Sequence, residues 1–278
     1  MRIGHISDLH LADRKRYPRN GFTARDCDRH SAKLAKELLV ALREAQVDHL
    51  VVTGDLTFSG EPTEFERAAD LLAPWAAAGK LTVVPGNHDV WTSEASARTR
   101  FLRVVGPDGR GMKKPAEVYP RAVEIGPDVV LVALDSARYG EDPFHTPGRL
   151  GAAQLQAARE LARRHAKEGR AVLLALHHHL VLPVERVPSD ACVARMPLAD
   201  ADQVVRLVAD VQVAAVLHGH RHTAFRLDLP GATRPTPLLC AGSATRVADE
   251  PVRRARAYLY EVDATGLRGV EALVASVE

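Results

Sequence analysis

Cysteine is scarce: the three present, Cys27, Cys192 and Cys240, stand far apart and include no CxxC pair. An odd count cannot close completely into intramolecular disulfides, and the spacing argues against a thiolate-based structural zinc site. A reducing compartment is the expectation. No apolar run approaches the roughly 18 residues that a membrane-spanning helix needs. Behind Met1-Arg2 there is neither the apolar stretch nor the small-residue cleavage site of a secretory signal, so a cytoplasmic protein without membrane association is expected. Nor is either charge in excess: 37 Lys and Arg face 35 Asp and Glu, a net charge of +2 with histidines neutral. That lacks the basic surplus of a dedicated nucleic-acid binder, so nucleic acid is not indicated as a partner.

What the chain does have is a regular alternation. At 278 residues with 46% apolar content it can bury one sizeable core, and a single domain spanning 1–278 is expected. Short Val/Ile/Leu-rich runs recur at Ile3 to Ile6, Leu50 to Val52, Leu81 to Val84, Val129 to Leu134, Ala171 to Leu176, Ala214 to Leu217 and Leu238 to Ala241. Their length suits buried strands. Between them lie helix-period segments: Leu34, Leu38 and Leu42; the stretch opened by Glu61-Pro62; and Gln154 to Lys167 behind Gly151. Strands alternating with helices predict an α/β sheet. Residues 92–121 and 183–197 read as irregular segments that could cap a substrate, the first beginning with a helix.

A polar cluster begins wherever one of five apolar runs stops. Asp8 and His10 follow the first run, Gly54-Asp55 the second and Gly86-Asn87-His88-Asp89 the third. His177-His178-His179 and His218-Gly219-His220-Arg221-His222 follow two later ones. Ligands of open α/β sheets bind outside the carboxyl ends of strands, so these clusters can converge on one crevice. Imidazole, carboxylate and amide oxygen without thiolate favour divalent ions such as manganese, iron or zinc. Glycine before Asp55, Asn87 and His220 lets the chain turn off the strand end and approach a ligand closely.

Each cluster has an ordinary explanation when taken alone. Asp8-Leu9-His10 is a common strand-to-loop sequence, and Gly54-Asp55 a common turn. Gly-Asn-His-Asp is less easily dismissed, because a turn has no need of the histidine. In Gly219-His220-Arg221-His222, the two histidines at i and i+2 point to one side. No more than one of the three adjacent histidines is expected to bind metal. The ordered set at successive strand ends carries the weight.

That ordered set, D-x-H, G-D, G-N-H-D, H and G-H-x-H over residues 8 to 222, resembles the calcineurin-like metallophosphoesterase superfamily. The resemblance implies a four-layer α-β-β-α sandwich with two mixed β-sheets and a dinuclear metal site at the strand ends. It implies that Asp8, His10 and His222 hold one ion, that Asn87, His177 and His220 hold the other, and that Asp55 bridges them. His177 is preferred over His178 because the family's ligand is the first histidine after the strand, although His179 stands where the family usually has proline. Protein phosphatases of the superfamily continue the second motif as G-D-x-x-D-R-G, whereas this chain reads Gly54-Asp55-Leu56-Thr57-Phe58-Ser59-Gly60. The phosphate-binding arginine is missing. Ile-Ser-Asp-Leu-His with Gly-Asp-Leu-Thr looks like the bacterial cyclic-nucleotide and glycerophosphodiester phosphodiesterase branch.

The expected activity is hydrolysis of small phosphodiesters. Two ions about 3.5 to 4 Å apart lower the pKa of a shared water, whose hydroxide attacks phosphorus in line. His88 is expected to assist the leaving group. Asp89 either orients a histidine or caps a turn. Arg221 either meets substrate phosphate or is a solvated side chain. The alternatives are a nuclease, drawing on Arg98, Arg100, Arg103, Arg110, Lys113, Lys114, Arg253 and Arg254 for a basic channel, and a noncatalytic metal-binding scaffold.

Overall fold

The computed structural model describes residues 1–13, 28–90, 96–114, 118–138, 147–181 and 196–276. Two mixed sheets carry the fold. In the first, β1 (Arg2–Ile6), β2 (His49–Thr53) and β3 (Leu81–Val84) run parallel, and β10 (Arg256–Asp263) and β11 (Gly266–Val274) join antiparallel beside β1. The second sheet has a parallel centre of β5 (Val129–Ala133), β6 (Ala171–Ala175), β7 (Ala215–His218) and β9 (Thr236–Cys240). Its antiparallel edges are β4 (Arg121–Glu124) and β8 (Phe225–Leu229). All seven apolar runs are strands. The four further strands, β4, β8, β10 and β11, are all antiparallel.

Strand side chains alternate between faces, and that alternation makes the four layers. Ile3, Val51, Leu131, Leu173 and Leu217 meet between the two sheets. Their neighbours turn outward: Ile6 and Val52 pack under α1 (Ala32–Glu44) and α2 (Pro62–Ala77). Val132, Leu174 and Val216 pack under α4 (Ala152–Lys167) and α5 (Ala201–Asp210). The implied α-β-β-α sandwich is the observed one. In α1 the buried stripe is Leu34, Ala35, Leu38, Leu39 and Leu42, each leucine contributing roughly 1.5 to 3 kcal/mol of burial. Pro62 opens α2, and the Glu64 carboxylate accepts the N–H groups of Asp13, Ser59 and Glu61, tying the loop after β2 to the helix.

The helix expected near the start of 92–121 is α3 (Ser96–Val104). Phe101, Val105 and Tyr119 belong to the first sheet's core, and the Tyr119 hydroxyl donates to the Val83 carbonyl at 2.6 Å. The described part of this segment therefore packs against the fold. Residues 183–195 lie outside the described residues, as do Cys27 and Cys192. Among the described residues no helix is long and apolar enough to cross a membrane.

Candidate metal centre

The parallel pairing of β1 and β2 continues beyond the strand ends. Asp8, His10 and Leu11 donate their N–H groups to the carbonyls of Gly54, Asp55 and Leu56, each at 3.0 Å. The D-x-H and G-D loops thus run side by side as one platform. On it, donor atoms of Asp8, His10, Asp55 and His222 lie within 4.8 Å of one another, and so do those of Asp55, His177 and His220. Asp55 belongs to both groups. The His88 N–H binds its Oδ1 at 2.9 Å, while its Oδ2 stands 3.5 Å from His10 Nε2 and 3.3 Å from His177 Nε2.

These separations test whether cations fit. Ligands about 2.1 Å from an ion, at right or tetrahedral angles to each other, stand roughly 3.0 to 3.5 Å apart. His10 Nε2 is 2.8 Å from His222 Nε2, which is 3.1 Å from Asp8 Oδ1. His177 Nε2 is 3.1 Å from both Asn87 Oδ1 and His220 Nδ1. Several lone-pair donors crowded at ligand–ligand distances have little use for one another and suit a shared cation. The mixed nitrogen and oxygen set suits borderline divalent ions.

Carbonyl groups fix two tautomers, because a carbonyl only accepts. His177 Nδ1–H donates to Thr53 O at 2.7 Å, turning Nε2 towards Asp55 and Asn87, where loss of its proton would give a ligand lone pair. His220 Nε2–H donates to Met196 O at 3.1 Å, leaving Nδ1 for the same group. His222 differs: Arg246 Nη1 stands 3.1 Å from its Nδ1, so Nδ1 accepts and ligation through Nε2 calls for the other tautomer. Of the three adjacent histidines, His177 alone joins a group. His178 turns Nδ1 to Ser136 Oγ at 2.9 Å, and His179 stacks on the His220 ring at 17°. Burial holds His178 well below its usual pKa and His179 at about 3, so both are neutral walls.

Charge is concentrated where ions would sit. Burial works against ionised Asp8, but His222 and His10 outweigh it and hold its pKa well below the ordinary range. Asp55 is lowered likewise, against burial, by His177 and His88. For His177, burial is overcome by the Asp55 carboxylate, which raises the pKa to about 9. The backbone is also unusual. Asp8, His10, Asp55, His220 and His222 have φ of 54°, 41°, 51°, 71° and 49°, left-handed values that cost about 1 kcal/mol or more each outside glycine. Among the described residues, Gln46 is the one other non-glycine with positive φ. Strain is thus collected at the site. Gly54 turns with φ 87°, whereas Gly86 and Gly219 are needed for closeness: a Cβ there would strike Asp55 and Ser7.

His88 borders this centre. Its Nδ1–H donates to Phe58 O at 2.6 Å, its ring meets the His10 ring edge-on at 4.6 Å, and burial keeps its pKa below the ordinary value. Asp89 caps turns: its carboxylate accepts from the N–H groups of Leu56, Thr57 and Gly86 and from Thr57 Oγ1. Arg221 is 3% exposed, which corrects the picture of a solvated side chain. His30 was not foreshadowed in sequence, because it stands at no strand end. It packs against His10 at 4.7 Å, and its Nδ1 pairs with Thr245 Oγ1 at 2.7 Å. Of the eight basic residues of the nuclease alternative, four are drawn into the fold, Arg98 pairing with Asp135, Arg100 binding Gly60 O at 2.6 Å, Arg110 binding Ala76 O at 3.1 Å and Arg253 being buried, while Arg103, Lys113, Lys114 and Arg254 are exposed.

Fold and centre together define an α/β protein whose strand ends gather two histidine–carboxylate groups fit for divalent ions. The chain belongs to the calcineurin-like phosphoesterase family, whose model matches residues 1–224. It is 29% identical over 231 residues to a cAMP/cGMP dual-specificity phosphodiesterase of Mycobacterium tuberculosis, covering 82% of this chain and 63% of that protein. It is 27% identical over 205 residues to a 3′,5′-cyclic adenosine monophosphate phosphodiesterase of Vibrio vulnificus, covering 72% of this chain and 64% of that one. The chain thus spans just under two thirds of the length of these relatives. A dimetal phosphatase from Danio rerio shares the fold, with a TM-score of 0.67 at 16% identity and 99% of each chain covered. A purple acid phosphatase from yellow lupin does so at 0.60 and 12% identity, with 98% of this chain and 53% of that chain covered.

Proposed function

We propose that the chain, acting as one domain over 1–278, is a two-metal hydrolase of small phosphodiesters, with cyclic nucleotides as the leading substrate class. The observation that carries this reading is Asp55. Its Oδ1 is occupied by the His88 N–H while Oδ2 faces His10 on one side and His177 on the other. A single carboxylate oxygen lies between two donor groups. Asp8, His10 and His222 would hold one ion, Asn87, His177 and His220 the other, and Asp55 both. Bound there, manganese, iron or zinc supplies Lewis acidity that lowers the pKa of a shared water and neutralises charge on the phosphate oxygens.

The remaining work falls to the chain's own groups. Asp55, Asp8 and the αL loops preset the donors, so little reorganisation is needed when substrate arrives. His88, with Nδ1 committed to Phe58, would meet the leaving alkoxide through Nε2. Asp55 favours the charged ring, but burial outweighs it and holds the His88 pKa at about 3, so the resting ring is neutral. An anionic phosphate beside it would favour the charged form, and a proton taken up on Nε2 is the one the ring would hand to the leaving alkoxide. The names of the bacterial relatives support cyclic nucleotides as substrates. Purified protein loaded with manganese should turn over bis(p-nitrophenyl) phosphate and a 3′,5′-cyclic nucleotide. Asp55→Ala should abolish turnover and reduce bound metal. His88→Ala should keep both ions and lose roughly 10² to 10⁴ in rate, most with poor leaving groups. Normal turnover by Asp55→Ala would overturn the proposal.

A further inference from the structure

Beside His10 the structure holds a half-open cavity of about 690 Å³ between the first helix and the second. Its inner wall is apolar, made by Leu9, Leu11 and Leu71. Its rim carries charges of both signs: Lys36 of α1 and Asp70 of α2 both line it, and Arg67 stands 4.0 Å from Asp13. His10 and His30 form the side nearest the metal centre, with their rings 4.7 Å apart. The cavity therefore begins where a donor of the first metal group ends.

We infer that this cavity receives the organic half of the phosphodiester, and that its preferred occupant is a nucleoside. The inference rests on the proposed hydrolase reading and goes further by naming the substrate subsite. A cavity of this size is in the range of sites that enclose drug-sized ligands, and far exceeds what a methyl or glyceryl group would fill. Leucine side chains suit the flat apolar faces of a heteroaromatic ring, whereas a ring's edge needs a donor and an acceptor. Lys36 and Asp70 supply one of each at the rim. A second anionic group would meet Asp13 and Asp70 as well as the cations, so a neutral nucleoside fits the rim better than a further phosphate. The segments 92–121 and 183–197 are then not the sole arbiters of substrate.

Filling the cavity tests this. Ala32, exposed in the first turn of α1, and Asp70, exposed on α2, both line it and tolerate large side chains without disturbing the core. Ala32→Trp should lower kcat/KM for a 3′,5′-cyclic nucleotide at least tenfold, chiefly through KM, while kcat/KM for methyl p-nitrophenyl phosphate stays within about twofold. Adenosine, which has no phosphate, should inhibit the wild-type protein competitively and lose that inhibition in the variant. Asp70→Trp, acting from the opposite wall, should do the same. Equal losses on both diesters, or undiminished adenosine inhibition in both variants, would overturn the cavity assignment. A wild-type protein that hydrolyses neither diester would instead overturn the hydrolase reading itself.

Discussion

The Asp89 carboxylate accepts both polar hydrogens of Thr57, the N–H at 3.0 Å and the hydroxyl at 2.9 Å, and so fastens the loop of Asp55 to the loop of Asn87. The same carboxylate takes Gly86 N–H at 2.9 Å and Leu56 N–H at 3.3 Å. Four donors converge on two oxygens. Asp89→Asn would place an amide N–H₂ against two of those donors, leaving buried groups unmatched. The expected loss is about 2 to 3 kcal/mol of stability, with weaker metal retention. Urea unfolding would show it; a change under about 0.5 kcal/mol would remove the clamp from the account.

Gly219 is a close-approach position. A Cβ there would strike the Ser7 side chain and the Asp8 carboxylate, and both neighbours are fixed, Ser7 by Thr53 O and Asp8 by the His220 N–H. Gly219→Ala should therefore fold with lowered stability and lose metal at the Asp8, His10 and His222 group. Metal content after dialysis measures this. Two ions retained per chain would show that the loop can move aside.

Loading the centre should release a proton from His177. The Asp55 carboxylate raises its folded pKa to about 9, above the ordinary 6.5 of histidine, so at pH 7.5 the free centre keeps that ring protonated. Coordination requires the Nε2 lone pair, so the proton must leave. Calorimetric titration with manganese in buffers of different ionisation enthalpy should give about one proton released per chain. His177→Asn should abolish this release and cost one ion, whereas His178→Asn should preserve both ion binding and release. A heat independent of buffer would count against the assignment.

Acid should unfold the protein through its buried neutral histidines. Burial lowers His5 to about 3, where it pairs with Tyr260 and Thr53, and lowers His49 to about 4, where it pairs with Thr82. With folded values below the unfolded 6.5, each ring takes its proton only in the unfolded chain. Their stability contribution is present above pH 6.5 and is lost as pH falls towards 4. Each costs about 1.36 kcal/mol per pH unit in that window, so the pair removes roughly 5 kcal/mol by pH 4.5. Against a typical stability of about 5 to 15 kcal/mol this is decisive. Urea midpoints from pH 7.5 to 4.5 should fall steeply, and less steeply in His49→Gln. A flat profile would contradict the neutral, buried state of these rings.

Much of the design is written locally. The runs from Ile3 to Leu238 are strands because fully buried parallel strands need unbroken apolar sequence, and the ligand-type residues follow them because that is where chain leaves the sheet. The strands β4, β8, β10 and β11 were not legible in the same way. Lying antiparallel at or near sheet edges, most have one face towards water, as in the Arg-Ala-Val-Glu of β4 and the Phe-Arg-Leu-Asp-Leu of β8, and show no continuous run.

The order of motifs from Asp8 to His222 thus determined, by itself, which chemistry the strand ends could offer. Only the tertiary structure decided which donor atoms meet. That His177, and not His178 or His179, joins a donor group depends on Thr53 O, 124 residues away in sequence, orienting its ring, while Ser136 and the His220 ring claim the other two. The placement of Asp55 Oδ2 between the two donor groups goes with the His88 N–H occupying Oδ1. Left-handed backbone at five site residues and the cavity between the first two helices arise likewise from loops held by distant partners. Sequence spacing encodes periodicity and the identity of donors, but direction at the scale of one lone pair is set by whatever packs behind each ring.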